Sequence, residues 1–273
     1  MSTQPDHAAD LLLIGAGRMG LTHLRALAAS DQVRVAVVAD PSPAARASAE
    51  EVDSTVKTYA DLEEALDASV DGVLIAAPST LHKSVVALCA QRRLPILCEK
   101  PCGTTVADIE AAADAADSAG VPLQIGYWRR FVPELGALRK RLRGGEFGEL
   151  LQISCWQWDA APPAESFRAS SGGMLIDMGV HEFDQIRWLT GQELREPNDT
   201  AGAGFAGGEA DVATATLELS ERGTALVSLG WYFPHGDCVW VEVMGTRDHA
   251  RVDVLWSERG DEVFYAALRA QAE

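Results

Sequence analysis

Over the first 126 residues, short and almost continuously apolar runs alternate with longer Ala- and Leu-rich stretches. The runs are "LLLIG" (11–15), "VRVAVVAD" (33–40), "TVKTY" (55–59), "DGVLIAAP" (71–78), "PILCEK" (95–100) and "VPLQIGY" (121–127). Between them, 18–30, 43–52, 80–93 and 105–119 carry helical periodicity. A strand that is apolar at successive positions has to be covered on both faces, which requires a parallel sheet with helices on each side. Right-handed crossovers then make this part a doubly wound α/β domain.

After Tyr127 the pattern changes. "WRRFVPELGALRKRLRGGEFGEL" predicts a basic helix stopped by Gly144 and Gly145, followed by a strand at "LLQISCWQWDA". The stretch "GGMLIDMGVHEFD" (172–184) predicts a further helix. From about 209 the chain turns to alternating β segments, "ADVATATLEL", "GTALVSLGWYF", "CVWVEVMGT" and "ARVDVLW", which predict a mostly antiparallel sheet with one face open. "AGAGFAGGE" (201–209) reads as a mobile connection. The expected organisation is a doubly wound domain over 1–126 and a second α/β domain over 127–273. "DEVFYAALRAQAE" starts like a helix and ends without a stop signal, from which a longer native chain is expected.

At 273 residues the chain can bury a sizeable core. Its net charge of −17 argues against nonspecific binding of nucleic acid or anionic membrane. No apolar run approaches a membrane span, and "MSTQPDHAAD" has no secretory character. Five scattered cysteines suit reduced thiols in a cytoplasmic protein. Cys98 and Cys102 in "CEKPC" lack a second ligand pair at zinc-site spacing, so no metal is expected.

"GAGRMG" places Gly15, Gly17 and Gly20 in the G-x-G-x-x-G spacing, between the first apolar run and the first helical stretch. In that context Gly15 permits a tight turn, Gly17 lets a pyrophosphate approach the backbone, and Gly20 allows close helix–strand packing. Arg18 and Met19 complete the turn, and the helix that follows offers its free N–H groups to phosphate. Asp40 ends the second run, where an acid can accept from the adenosine ribose and repel the extra phosphate of NADP, so NAD is the expected cofactor. Pro78, Ser79, Thr80 and His82 fall at the carboxyl end of the fourth run, with His82 as a lining residue at most. Glu99 and Lys100 follow the fifth run; position alone leaves them either solvated or aimed into the ligand crevice.

Asp177, His181 and Asp184 are spaced by four and three residues, which puts them on one helix face. Such a stripe faces either water or a reaction.

Taken in order, G-x-G-x-x-G, the Asp ending the second strand, E-K-P, and G-G-x-x-x-D-x-G-x-H resemble the Gfo/Idh/MocA oxidoreductase family over nearly the whole chain. "GYWRRFVPELGALRKRL" further resembles its inositol 2-dehydrogenase branch, with Val132 where an acid usually falls. "QWDAAPPAESF" also departs from the usual loop. The resemblance implies NAD-dependent oxidation of a polyol, with inositol first, and a sugar or aminocyclitol dehydrogenase or a noncatalytic NAD-binding regulator as alternatives. It places Lys100, Asp177 and His181 around the reacting carbinol, where His181 is a fitting base and Lys100 can stabilise alkoxide charge. Glu99 and Lys100 are then cofactor neighbours, and Trp128 and Arg129 are substrate neighbours. Arg129 and Arg130 either bind substrate or pair with surface acids; Asp184 alone suits a solvated position. The resemblance also implies a homodimer or homotetramer formed through the open sheet face; Trp156 and Trp158 share one face of their strand, which interior packing explains as readily as an interface does.

Overall fold

The computed structural model describes residues 8–168, 173–204, 210–256 and 260–273. The chain divides into two compact units, Met1–Gly126 with Leu268–Glu273, and Tyr127–Ala267. In the first unit the six apolar runs become β1 (Ala9–Ile14), β2 (Val33–Ala39), β3 (Lys57–Tyr59), β4 (Gly72–Ile75), β5 (Ile96–Cys98) and β6 (Leu123–Ile125). All pair in parallel, in the order β3-β2-β1-β4-β5-β6. The order reverses between β1 and β4, the topological switch point of such sheets.

Five helices belong to this sheet: α1 (Arg18–Leu27), α2 (Pro43–Val52), α3 (Leu62–Leu66), α4 (His82–Gln91) and α5 (Val106–Ala119). Successive residues of β1 feed opposite cores, as a doubly covered strand requires. Leu13 packs with Leu24 and Leu27 of α1 and Ala49 of α2. Leu12 and Ile14 pack with Val86 of α4 and with Ala112 and Ala116 of α5. Ser42, Asp61 and Thr105 cap α2, α3 and α5 by accepting from backbone N–H groups three residues on. The five-residue α3 is too short to show periodicity, so the sequence does not announce it.

The second unit opens with a 3-10 turn over Trp128–Phe131, then α6 (Pro133–Arg143), β7 (Leu150–Trp158), and the short helices α7 (Glu165–Arg168) and α8 (Met174–Asp177). There follow α9 (Gly179–Thr190), β8 (Leu194–Ala203), β9 (Val212–Leu219), β10 (Thr224–Gly230), β11 (Cys238–Gly245), β12 (His249–Trp256) and α10 (Gly260–Ala272). The sheet runs β12-β11-β7-β10-β9-β8, antiparallel except for the β7–β10 pair. Ile153 and Cys155 of β7 are fully buried, and Cys155 Sγ accepts from Gln185 of α9. On the alternate face Trp156 stacks on Trp240 of β11 at 4.8 Å, and the Arg251 guanidinium lies over Trp240.

Three expectations need correction. The helix expected over 172–184 is two pieces: α8 ends at Asp177, and α9 starts afresh at Gly179 after Met178. Residues 201–203 close β8 instead of forming a loose connection, while 205–209 lie outside the described residues. β8 itself was unexpected, because Pro197 and Asp199 are poor strand formers. It is an edge strand, where proline is tolerated, and its register shifts at those two residues. Finally, the last six residues group with the first unit, not the second. There Gln271 Nε2 donates to Ile125 O, and Gln124 Nε2 donates to Gln271 O. None of the described helices is long and apolar enough to cross a membrane.

Leu74 is fully buried at the middle of the parallel sheet. Leu74→Ala should cost about 2–5 kcal/mol of stability, read from urea denaturation of both proteins.

Candidate active site

The glycine-rich turn is built as tightly as its spacing implies. Gly15 has φ +94°, and a Cβ there would come within 2.7 Å of Ala76 O. A Cβ on Gly20 would sit 2.0 Å from Gly15 O, so α1 lies directly on the turn. Around Gly17 the space is open, with no atom within 4 Å of a notional Cβ. Gly17 caps α1 without a side-chain hydrogen bond, and Arg18 beside it is exposed while Met19 is half-buried.

Asp40 is fixed against this turn. Its Oδ2 accepts from Ala16 N and its Oδ1 from Ser42 N, each at 2.8 Å. A carboxylate has about four acceptor positions, so both oxygens retain capacity for ribose hydroxyls. Arg46 turns its guanidinium to the carbonyls of Asp40 and Pro41 and not to the carboxylate. An open cradle at a helix N-terminus, with an anchored acid beside it, fits a dinucleotide.

Ser79 opens a short 3-10 turn after β4, with Pro78 as its cap. His82 does not line this edge. It is 1% exposed, and its ring nitrogens lie 2.7 Å from Pro101 O and 2.8 Å from Ala77 O, which ties the two loops together. Glu99 is likewise inward. Its Oε1 lies 2.6 Å from His23 Nε2, and its Oε2 accepts from Lys100 N. Lys100 is half-buried, and its peptide bond to Pro101 is cis. Cys98 and Cys102 stand on either side of this turn, and their mutual influence raises the Cys98 thiol and lowers that of Cys102; Cys98 Sγ donates to Glu99 O at 3.4 Å.

In the second unit His181 is 7% exposed and flanked edge-on by Tyr127 and Trp128, at 6.3 and 6.4 Å between ring centres. Trp128 also packs at 4.8 Å on Phe264. Asp177, one turn before His181, is half-buried. Arg129 pairs with Glu182, both almost wholly buried, and its Nη2 donates to Gln157 Oε1 at 2.7 Å. The partner of Arg129 is thus a buried acid, not a surface one. Arg130 forms a two-pronged pair with Asp184, and at 8% exposure Asp184 is not a solvated position.

Asp159, at the end of β7, escaped the sequence reading. Burial pushes its carboxyl up to about 6, helped by the charges of Asp237 and Asp177, while a hydrogen bond with Gln157 pulls the other way. An acid closing an apolar strand was the available signal, the same one that singled out Asp40. Glu182 and Gln157 carried no such signal, because nothing in their spacing sets them apart. The chain thus distributes its candidates: the glycines, Asp40 and Lys100 belong to the first unit, and Asp177 and His181 to the second.

Because Asp159 is raised from 3.8 to about 6, the folded chain holds a proton there that the unfolded chain has released. Stability is therefore lost as pH rises through that window. Asp159→Asn should remove the loss, gaining up to about 3 kcal/mol over the parent above the window and nothing below it. Urea curves across the pH range test this; a pH-independent difference would refute it.

A family model described as "Oxidoreductase family, NAD-binding Rossmann fold" matches residues 10–127, and the "GFO/IDH/MocA C-terminal domain" matches 136–251. The chain is 51% identical over 266 residues to the rhizopine catabolism protein MocA of Rhizobium meliloti, covering 96% of this chain and 83% of that one. It is 30% identical to an inositol 2-dehydrogenase of Rhizobium meliloti (strain 1021), covering 86% of this chain and 72% of the relative. Its fold matches that of scyllo-inositol dehydrogenase from Lactobacillus casei, solved with NAD(H) and scyllo-inositol, at a TM-score of 0.85 and 22% identity over 97% and 88% of the two chains. The protein belongs to the Gfo/Idh/MocA oxidoreductases, and its first domain is an NAD-binding Rossmann domain.

Proposed function

We propose that the protein oxidises a secondary ring hydroxyl of a cyclic polyol, with inositol as the leading substrate class and NAD as the cofactor. The observation that carries this reading is His181, a buried imidazole held between two aromatic rings one turn after Asp177. Bound NAD supplies a two-electron oxidant for the carbinol carbon. His181 takes the hydroxyl proton as that carbon is oxidised. Lys100 donates to the same oxygen and stabilises its developing negative charge. Asp177 accepts from the substrate and helps to orient the imidazole. Asp40, anchored by two backbone N–H groups, favours NAD over NADP. The relatives named as inositol dehydrogenases support the substrate class. The same reading includes a cytoplasmic homodimer or homotetramer built through the open face of the second sheet.

A second reading, an aminocyclitol as substrate, is favoured by one observation. Burial first, and then the charges of Asp237 and Asp177, raise the Asp159 carboxyl, and a substrate ammonium group beside it would favour its charged form. The relative named for rhizopine catabolism is consistent with a substrate other than plain inositol.

The test is reduction of NAD and NADP by the purified protein against myo-, scyllo- and chiro-inositol, amino-substituted inositols and hexoses. Turnover of an unsubstituted inositol with NAD supports the leading reading, and turnover confined to amino-inositols supports the second. Tight NAD binding with no turnover of any of these would point to a noncatalytic regulator. Lys100→Ala is expected to lower kcat about 10²–10⁴-fold while NAD binding, followed by calorimetry, survives. Near-parental turnover would remove Lys100 from the mechanism.

A further inference from the structure

His23 lies on α1, three residues beyond the last glycine of the cradle, and faces inward. It is 1% exposed, Glu99 is 6% exposed, and 2.6 Å separates His23 Nε2 from Glu99 Oε1. A carboxylate can only accept, so Nε2 is the donor and the ring carries its proton there. The other carboxylate oxygen accepts from the backbone N–H of Lys100 at 3.1 Å. Gly126 closes the third side: a Cβ there would lie 3.0 Å from Glu99 Oε2 and 3.1 Å from its Cα. The Glu99 carboxylate is therefore gripped from α1, from β6 and from the lysine's own peptide group.

A buried carboxylate is a costly way to fill space, and an apolar pair of the same volume would pack as well or better. This one sits where it joins the helix whose N-terminus faces the cradle to the peptide that starts the Lys100 turn. We infer that His23 is a positioning residue: acting through Glu99, it sets the direction in which Lys100 leaves β5. This rests on the role proposed for Lys100. It also gives Glu99 a duty besides any contact with the cofactor, since each of its oxygens holds a protein donor.

The chain has four lysines, Lys57, Lys83, Lys100 and Lys140, so reductive ¹³C-methylation of the full-length protein yields few dimethyl-lysine signals. Lys100→Arg identifies the signal of Lys100. In His23→Leu, which keeps bulk and removes the donor, the Lys100 resonance should move while those of Lys57 and Lys140 stay. In His23→Gln, whose amide can donate to Glu99, it should return most of the way. Kinetically, His23→Leu should lower kcat at least tenfold with less than a threefold change in KM for the polyol, and His23→Gln should recover to within threefold. If His23→Leu does not fold, Glu99→Gln takes its place and must move the same resonance. An unmoved Lys100 resonance in a folded variant overturns the inference, as does a kcat loss that His23→Gln fails to restore. The resonance is read without substrate, so absence of polyol turnover by the parent protein would reject the proposed reaction and leave this test standing.

Discussion

Because all six strands of the first sheet run in the same direction, every loop that follows a strand leaves from the same edge. That constraint gathers Gly15, Asp40, Ser79 and Lys100, which are far apart in sequence, along one margin of one sheet. The switch between β1 and β4 then opens that margin at its middle. The chemistry is tied to the packing at a single point: Gly20 lets α1 rest on the carbonyl of Gly15. A larger residue there would push away the helix that carries both the phosphate-facing N-terminus and His23.

In the first unit, polar groups are spent on holding backbone. Asp40 accepts from two peptide N–H groups, the ring of His82 meets two carbonyls, and Glu99 accepts from the peptide of Lys100. Side chains expected to meet the ligand also fix the loops around it. Backbone groups in a loop need partners, and a loop beside a cleft has few neighbouring strands to supply them. Short polar side chains at strand ends fill that need, and this restricts the loops to one shape.

The strand and helix alternation was readable because a doubly covered strand leaves an unmistakable apolar run, and the glycine spacing because its context is restrictive. What escaped has a common cause. α3 is only five residues long, under two turns, and β8 contains Pro197 and Asp199 but holds an edge position where sheet pairing overrides propensity. The break after Asp177 lies within a segment whose residues all suit a helix, so only tertiary packing decides it. Asp184 and Arg129 look like surface charges in one dimension. Each is buried in an ion pair only when a residue more than fifty positions away is brought opposite, and the Arg130 that meets Asp184 stays partly exposed. Long-range partners of this kind leave no local trace.

The second unit sets carboxylates and guanidinium groups side by side at low exposure. Arg129 is held by Glu182 and Gln157. Removing one member of such a network leaves a buried charge without its partner, which is far more disruptive than replacing the whole set with apolar residues. The network therefore contributes more to arrangement than to stability. Asp159 lies within electrostatic reach of Asp177, whose charge adds to the burial that raises the Asp159 carboxyl. A neutral polyol, the leading proposed substrate, carries no charge to offset this. A substrate carrying an ammonium group beside Asp159 would favour its charged form, so the charge of Asp159 bears on the choice between the two proposed substrate classes.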